Sequence, residues 1–203
     1  MRRIKSVIFD WGGVLIDNPT SGLIQYCSRA LGVSKQDYEK VHVKFSVDFQ
    51  KGLIDEDTFW KRVCGQLNVP IPTIRSLWID AFRGVYSPRK EMFSLTDSLR
   101  KAGYKTALLS NTEAPAMQCY HKSGYDMFDV TVFSCAVACI KPERRIYEIA
   151  VQKLYCEPDE SVFIDDYPEY VNGARQAGLK TILYESIDQV KSELISFGMK
   201  WSE

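Results

Sequence analysis

Long hydrophobic runs are missing from this sequence: no stretch approaches the ~18 apolar residues of a membrane-spanning helix, so no transmembrane segment is expected. Charge of one sign is missing too. Lys and Arg total 26 and Asp and Glu total 26. That balance supplies no basic excess to draw the chain to nucleic acid or to a membrane surface. Any anionic ligand must be held by a local arrangement of groups. Paired cysteines are also absent. Cys27, Cys64, Cys119, Cys135, Cys139 and Cys156 form no C-x-x-C pair, and neither His42 nor His121 stands at metal-ligand spacing from them. The pattern argues against a zinc site or a disulfide framework, and the thiols read as reduced core residues of a cytosolic protein. The two histidines fit no catalytic dyad. Internal repeats and low-complexity segments are lacking. Met1 to Asp10 carries charge, only a short apolar stretch and no small-residue cleavage site; it reads as a first strand rather than a signal peptide, and the expected location is cytoplasmic.

What remains is an ordinary globular profile of 203 residues, 45% hydrophobic and 26% charged. Such a chain suits one sizeable domain, or a core with a small insertion. It buries roughly 70% of its unfolded surface and needs neither disulfide nor metal to fold. Ile4 to Phe9 becomes a continuous apolar run that meets the Gly12-Gly13 turn, the pattern of a buried strand ending in a tight loop. From about Thr20 to Tyr86 apolar residues recur at helical spacing, as at Leu23, Tyr26, Cys27 and Ala30, then at Phe59, Val63 and Leu67. Asp55-Glu56-Asp57 predicts a helix start, with acids at the positive end of the helix dipole. Arg83 to Lys90 reads as a solvated hinge.

Beyond Ser87 the pattern alternates. Strands are expected at Lys105–Leu109, Val130–Phe133, Ser161–Ile164 and Lys180–Tyr184. Helices are expected near Ala114–Ser123, Arg144–Tyr155, Pro168–Ala177 and Ile187–Phe197, with Gly178 closing the third. Repeated β-α units imply an α/β fold, a parallel sheet with helices on both faces. The expected organisation is a doubly wound core of residues 1–17 and 87–203, interrupted after its first strand by an all-helical insertion of residues 18–86.

Ligands of open α/β sheets bind outside the carboxyl ends of the strands. Polar residues gather at those ends here: Asp10 after the first, Ser110 and Asn111 after the second, Asp165 and Asp166 after a later one, with Lys141 expected to open a helix. A carboxylate at Asp10 can attack phosphorus, splitting one hard displacement into two easier ones. Crowded carboxylates beside a phosphate dianion require a cation, and all-oxygen donors suit Mg²⁺. Lys141 would supply positive charge for the non-bridging oxygens and Ser110 a hydrogen bond. Each element has a plainer reading. Asp165-Asp166 and Ser110-Asn111 could be helix caps, and Lys141 a loop lysine.

Phe9-Asp10-Trp11-Gly12-Gly13-Val14-Leu15, Leu109-Ser110-Asn111, Lys141-Pro142-Glu143-Arg144-Arg145-Ile146-Tyr147 and Phe163-Ile164-Asp165-Asp166 resemble, in order, the four motifs of the haloacid dehalogenase (HAD) superfamily. The resemblance covers nearly the whole chain. It implies a HAD-type, Rossmann-like parallel core with a small helical cap after the first strand. It further implies a Mg²⁺-dependent phosphatase acting on a small phosphorylated metabolite. Asp10 would be nucleophile and metal ligand, Asp166 the second carboxylate ligand and Asp165 a ligand or its neighbour. The Gly12 carbonyl would also face the metal, with Ser110 and Asn111 on the phosphate and Lys141 as charge clamp.

One position departs from the pattern. Many such phosphatases carry a second aspartate, the general acid and base, where this chain has Gly12. A subset of helical-cap relatives, including bacterial sugar-phosphate phosphatases, resembles this Asp-x-Gly form. The enzyme would then act on phosphates whose leaving group needs little protonation, or recruit another acid, for which Asp17 is the candidate. Otherwise it would be a catalytically weak metabolite-binding or regulatory protein. A phosphomutase is disfavoured, because returning phosphate to a hydroxyl leans on the missing acid. A 2-haloacid dehalogenase would fit Gly12, since halide leaves without a proton, but not the retained acid pair Asp165-Asp166. Trp11 is a candidate for the pocket wall, whereas Phe45, Phe49, Phe59, Trp60 and Trp78 read mostly as core. Tyr170 stands where relatives place Asn or Asp, and Asn172 lies further along.

Overall fold

The computed structural model describes residues 3–202. Five strands form one parallel sheet in the order β3-β2-β1-β4-β5: β1 Ser6–Phe9, β2 Lys105–Ser110, β3 Val130–Phe133, β4 Ser161–Asp165 and β5 Lys180–Leu183. The central strand β1 is buried at every position, and Ile8 pairs in register with Ala107 on one side and Phe163 on the other. Side chains alternate across the pleat with period two. Val7 and Phe9 enter one hydrophobic cluster; Ile8 enters the other.

Helices cover both faces. α8 (Arg144–Leu154) and α9 (Pro168–Gln176) pack on the side of Ile8. α5 (Lys90–Lys101), α6 (Ala114–Lys122) and α10 (Ile187–Ser196) pack on the side of Phe9. Helix α5 corrects the reading of the sequence, which placed no helix between the hinge and β2. Met92, Leu95, Thr96 and Leu99 are buried at i, i+3, i+4 and i+7, the spacing of an amphipathic helix. Its flanks Arg89-Lys90 and Arg100-Lys101 mask a pattern that was present. A short helix α7 (Ser134–Val137) follows β3 directly.

Between β1 and α5 lie α1 (Thr20–Ala30), α2 (Lys35–Gln50), α3 (Glu56–Leu67) and α4 (Leu77–Val85). Ser34, Asp55 and Ser76 cap the last three of these, each side chain accepting from the backbone N–H three residues on, which satisfies a donor the helix leaves free. Their shared interior is aromatic. Phe49 stacks on Phe59 at 4.5 Å, and the His42 ring lies parallel to Trp78 at 5.7 Å. The chain leaves and re-enters the sheet region side by side: Asp17 N–H donates to the Ser87 carbonyl and Arg89 N–H to the Leu15 carbonyl, both at 2.9 Å. One hydrophobic cluster runs from these helices into the sheet. Among the described residues no helix is long and apolar enough to cross a membrane.

Candidate active site

β1, β2 and β4 deliver their chemistry at the same edge because all run in one direction. Asp10 follows the last residue of β1, Ser110 ends β2, and Asp165 ends β4 with Asp166 next. Oxygens of Asp10, Asp165 and Asp166 lie within 4.8 Å of one another. Lys141 sits in the turn before α8, upstream of the helix rather than opening it. Its ammonium donates to Asp10 Oδ1 at 2.7 Å and to Asp165 Oδ2 at 2.6 Å. The lysine is 1% exposed, so these partners must satisfy its charge.

Two further contacts aim that lysine. The Asn111 amide spans its backbone, accepting from Lys141 N–H at 2.8 Å and donating to the Lys141 carbonyl at 3.1 Å. The ammonium also lies 4.9 Å from the ring centre of Tyr170, within cation–π range. The side chain of Asn111 thus holds Lys141 in place. Tyr170 replaces the polar residue expected there with a face of negative quadrupole. Asn172 is exposed, pairs with Arg175 and is not in the site.

Burial raises the Asp10 carboxyl to about 7; the Lys141 charge opposes this and the neighbouring Asp165 adds to it. Asp166 is raised by burial and by Asp165. Burial works against the Lys141 ammonium, but Asp10 and Asp165 outweigh it and hold the lysine charged. Three carboxylates thus face one ammonium in a partly desolvated edge, a donor set of hard oxygens that fits a small divalent cation.

The turn after Asp10 requires its glycines. Gly13 has φ +97° and its site for a β-carbon coincides with the Asp166 carboxylate. At Gly12 a β-carbon would press on the Pro19 ring, 3.0 Å from Cδ. Asp17 does not substitute for it. Its carboxylate accepts from Ser87 Oγ at 2.7 Å and Arg89 Nε at 3.0 Å. Those bonds hold it below the usual carboxylate range, and it does not line the cavity.

The cavity, of about 360 Å³, brings together Asp10, Trp11, Gly12, Ser110, Asn111, Lys141 and Asp166; Asp165 lies beneath, fully buried. Ser110 Oγ is hydrogen-bonded to Thr112 Oγ1 at 2.6 Å. Asn18, Pro19, Thr20, Leu23, Gln50 and Phe82 close it from the helical side. Phe45, Phe49, Phe59, Trp60 and Trp78 do not line it; Phe82 does, its ring tilted 49° to that of Trp11 at 5.0 Å. Glu113 also lines the cavity, 7% exposed, accepting from Trp78 Nε1 at 3.2 Å. Burial raises its carboxyl. Sequence reading passed over it, because an acid just before a helix resembles a simple cap; its burial comes from α4, remote in sequence.

Residues 4–178 match the family model for haloacid dehalogenase-like hydrolases. The chain is 26% identical over 205 residues to a D-ribitol-5-phosphate phosphatase of Bacteroides thetaiotaomicron, covering 94% of this chain and 97% of that protein. It is 27% identical over 180 residues to a sesquiterpene phosphatase of Aspergillus oryzae, covering 86% and 87%. Acyl-CoA dehydrogenase family member 10 of Mus musculus is 27% identical over 211 residues; the match takes in 95% of this chain and only 19% of that much longer protein. A HAD family enzyme of Bacteroides thetaiotaomicron, solved with magnesium and inorganic phosphate, superposes with a TM-score of 0.73 at 22% identity, over 92% of this chain and 98% of that one.

Proposed function

The chain belongs to the haloacid dehalogenase-like hydrolase family, and from that premise we propose that it is a Mg²⁺-dependent phosphatase of a small phosphorylated metabolite, working through an aspartyl-phosphate on Asp10. The observation that carries this reading is the buried Lys141 ammonium shared between Asp10 and Asp165, with Asp166 completing the carboxylate cluster. Buried charges of this density are rarely assembled for stability, since desolvation offsets most of their attraction.

Asp10, Asp166 and the Gly12 carbonyl would hold Mg²⁺, with Asp165 bound or adjacent. The metal, when present, neutralises the cluster and the phosphate oxygens it faces. The Asp10 carboxylate attacks phosphorus in line with the leaving oxygen. Lys141 turns its charge to a non-bridging oxygen, where it stabilises the negative charge of the transition state. Ser110 donates its hydroxyl proton to another oxygen. Asn111 keeps the lysine backbone still, and the Tyr170 ring keeps its stem from swinging out. Helices α1, α2 and α4 act as a cap that excludes water and touches the rest of the substrate. Leu23 and Phe82 offer that portion an apolar wall, while Gln50 and Asn18 offer polar contacts. Sugar and polyol phosphates fit a cavity of this size and mixed lining, and head the candidates.

The test is phosphate release from p-nitrophenyl phosphate and a panel of sugar and polyol phosphates, with Mg²⁺ and with EDTA. Turnover should require Mg²⁺ and vanish in Asp10→Asn, whose circular dichroism should match the parent. Turnover surviving in D10N would sink the mechanism. Gly12 favours a second reading, a metabolite-binding regulator. Silence across the panel, with Mg²⁺ and phosphate still bound, would decide for it.

A further inference from the structure

We infer that Glu113 is the leaving-group acid of this site, performing the proton transfer for which Gly12 has no side chain. The inference rests on the hydrolase reading above. Ionisable side chains lining the cavity, among the described residues, are Asp10, Glu113, Lys141, Asp166, Tyr167 and Tyr170. Asp10 attacks, Lys141 clamps, and Asp166 is a metal ligand. A phenol is a weaker acid than a carboxyl, and burial weakens that of Tyr170 further. Glu113 is the carboxyl left over.

Position supports the role. Glu113 lies three residues beyond Ser110, at the start of α6, beneath the helices that cover the cavity. An attack from Asp10 pushes the leaving oxygen away from the sheet edge and toward that cover. The carboxyl is held in place by contacts from the covering helices, the Gln50 side chain among them. Trp78 Nε1 holds one oxygen. Ser134 Oγ fixes the adjoining frame, donating to the Gln50 carbonyl at 2.6 Å and accepting from Thr112 N–H at 2.8 Å. The titratable groups that sense its charge, Cys27, Tyr38 and Cys135, are themselves pushed up by burial and stay neutral.

In the first step the Asp10–phosphorus bond forms and the phosphorus–oxygen bond to the leaving group breaks. The electron pair goes to the leaving oxygen, which takes the Glu113 proton and departs as an alcohol. In the second step the Glu113 carboxylate takes a proton from the water that attacks the aspartyl-phosphate. The Asp10–phosphorus bond then breaks, releasing inorganic phosphate and restoring both carboxyls.

A bland alternative exists: Glu113 could merely tie α4 to α6 through Trp78. Glu113→Gln separates the two, because the amide keeps the shape and still accepts from Trp78. With Mg²⁺ present, kcat for an alkyl phosphate such as ribitol 5-phosphate should fall by about 10²-fold or more, while kcat for p-nitrophenyl phosphate, whose leaving group departs without a proton, should stay within about threefold. Equal losses on both substrates, or none on either, would overturn the assignment. Should E113Q melt early, the dependence of wild-type kcat/KM on leaving-group pKa serves instead: a shallow slope upholds the acid and a steep one removes it. A wild-type enzyme silent on both substrates would instead overturn the hydrolase reading, and this inference with it.

Discussion

Replacing Lys141 by Met removes one positive charge from the centre of the carboxylate cluster while preserving most of the side chain's bulk. The ammonium is 1% exposed, and its partners Asp10 and Asp165 are 9% and 0% exposed. Breaking a buried pair by deleting one partner costs roughly 3–5 kcal/mol, because the other charges are left uncompensated. In a domain of this size each kcal/mol lowers Tm by about 2–4 °C, so in EDTA the melting point should fall by roughly 6–20 °C. Mg²⁺ should restore part of that loss by taking over the neutralisation. Phosphate should not recover. A hydrogen bond to a charged group contributes about 1.5–3 kcal/mol, so the inhibition constant of inorganic phosphate should rise roughly 10- to 150-fold. Mg²⁺ affinity should hold or tighten, since a repelling charge is gone. Differential scanning fluorimetry with and without metal, together with phosphate inhibition of p-nitrophenyl phosphate hydrolysis, reads all three. An unchanged inhibition constant would take Lys141 out of the phosphate site. Parallel loss of phosphate and Mg²⁺ binding would show general disruption instead of a missing charge.

Two further perturbations probe the frame around the site. Gly13→Ala should weaken Mg²⁺ binding by at least about tenfold, because its β-carbon needs the space of the Asp166 carboxylate at a φ of +97°; titration calorimetry measures it, and a parent-like affinity would show that Asp166 is not a ligand. His42 gives a pH signature. Burial against Trp78 lowers its imidazole from 6.5 to about 4, so between those values the unfolded chain binds the extra proton. Stability should therefore drop as pH falls from about 6.5 toward 4, by up to roughly 3 kcal/mol. His42→Phe should flatten that part of the Tm-against-pH curve; an unaltered curve would place the acid sensitivity elsewhere.

Much of this molecule is legible in one dimension. Strand content follows from short apolar runs, and their alternation with helical spacing specifies a parallel sheet, because parallel strands need crossovers long enough to be helices. Once the sheet is parallel, Asp10, Ser110 and Asp165 must share an edge, since each ends a strand. Local chemistry suffices for the caps at Ser34, Asp55 and Ser76 as well. Helix α5 carries the same kind of signal in Met92, Leu95 and Leu99, masked by the basic residues at its ends.

Other features depend on contacts between segments far apart in the chain. The grip of the Asn111 amide on the Lys141 backbone, 30 residues away, is invisible in the sequence. Asp17 looks available until Ser87 and Arg89 fold back on it. Glu113 looks like a helix cap until Trp78 buries it inside the cavity. Periodicity reports which face of an element turns inward, so the sequence alone determined the sheet, its chemical edge and the residues gathered there. A proton's affinity and a side chain's freedom depend instead on what long-range packing places within a few ångströms, and only the tertiary structure decided those.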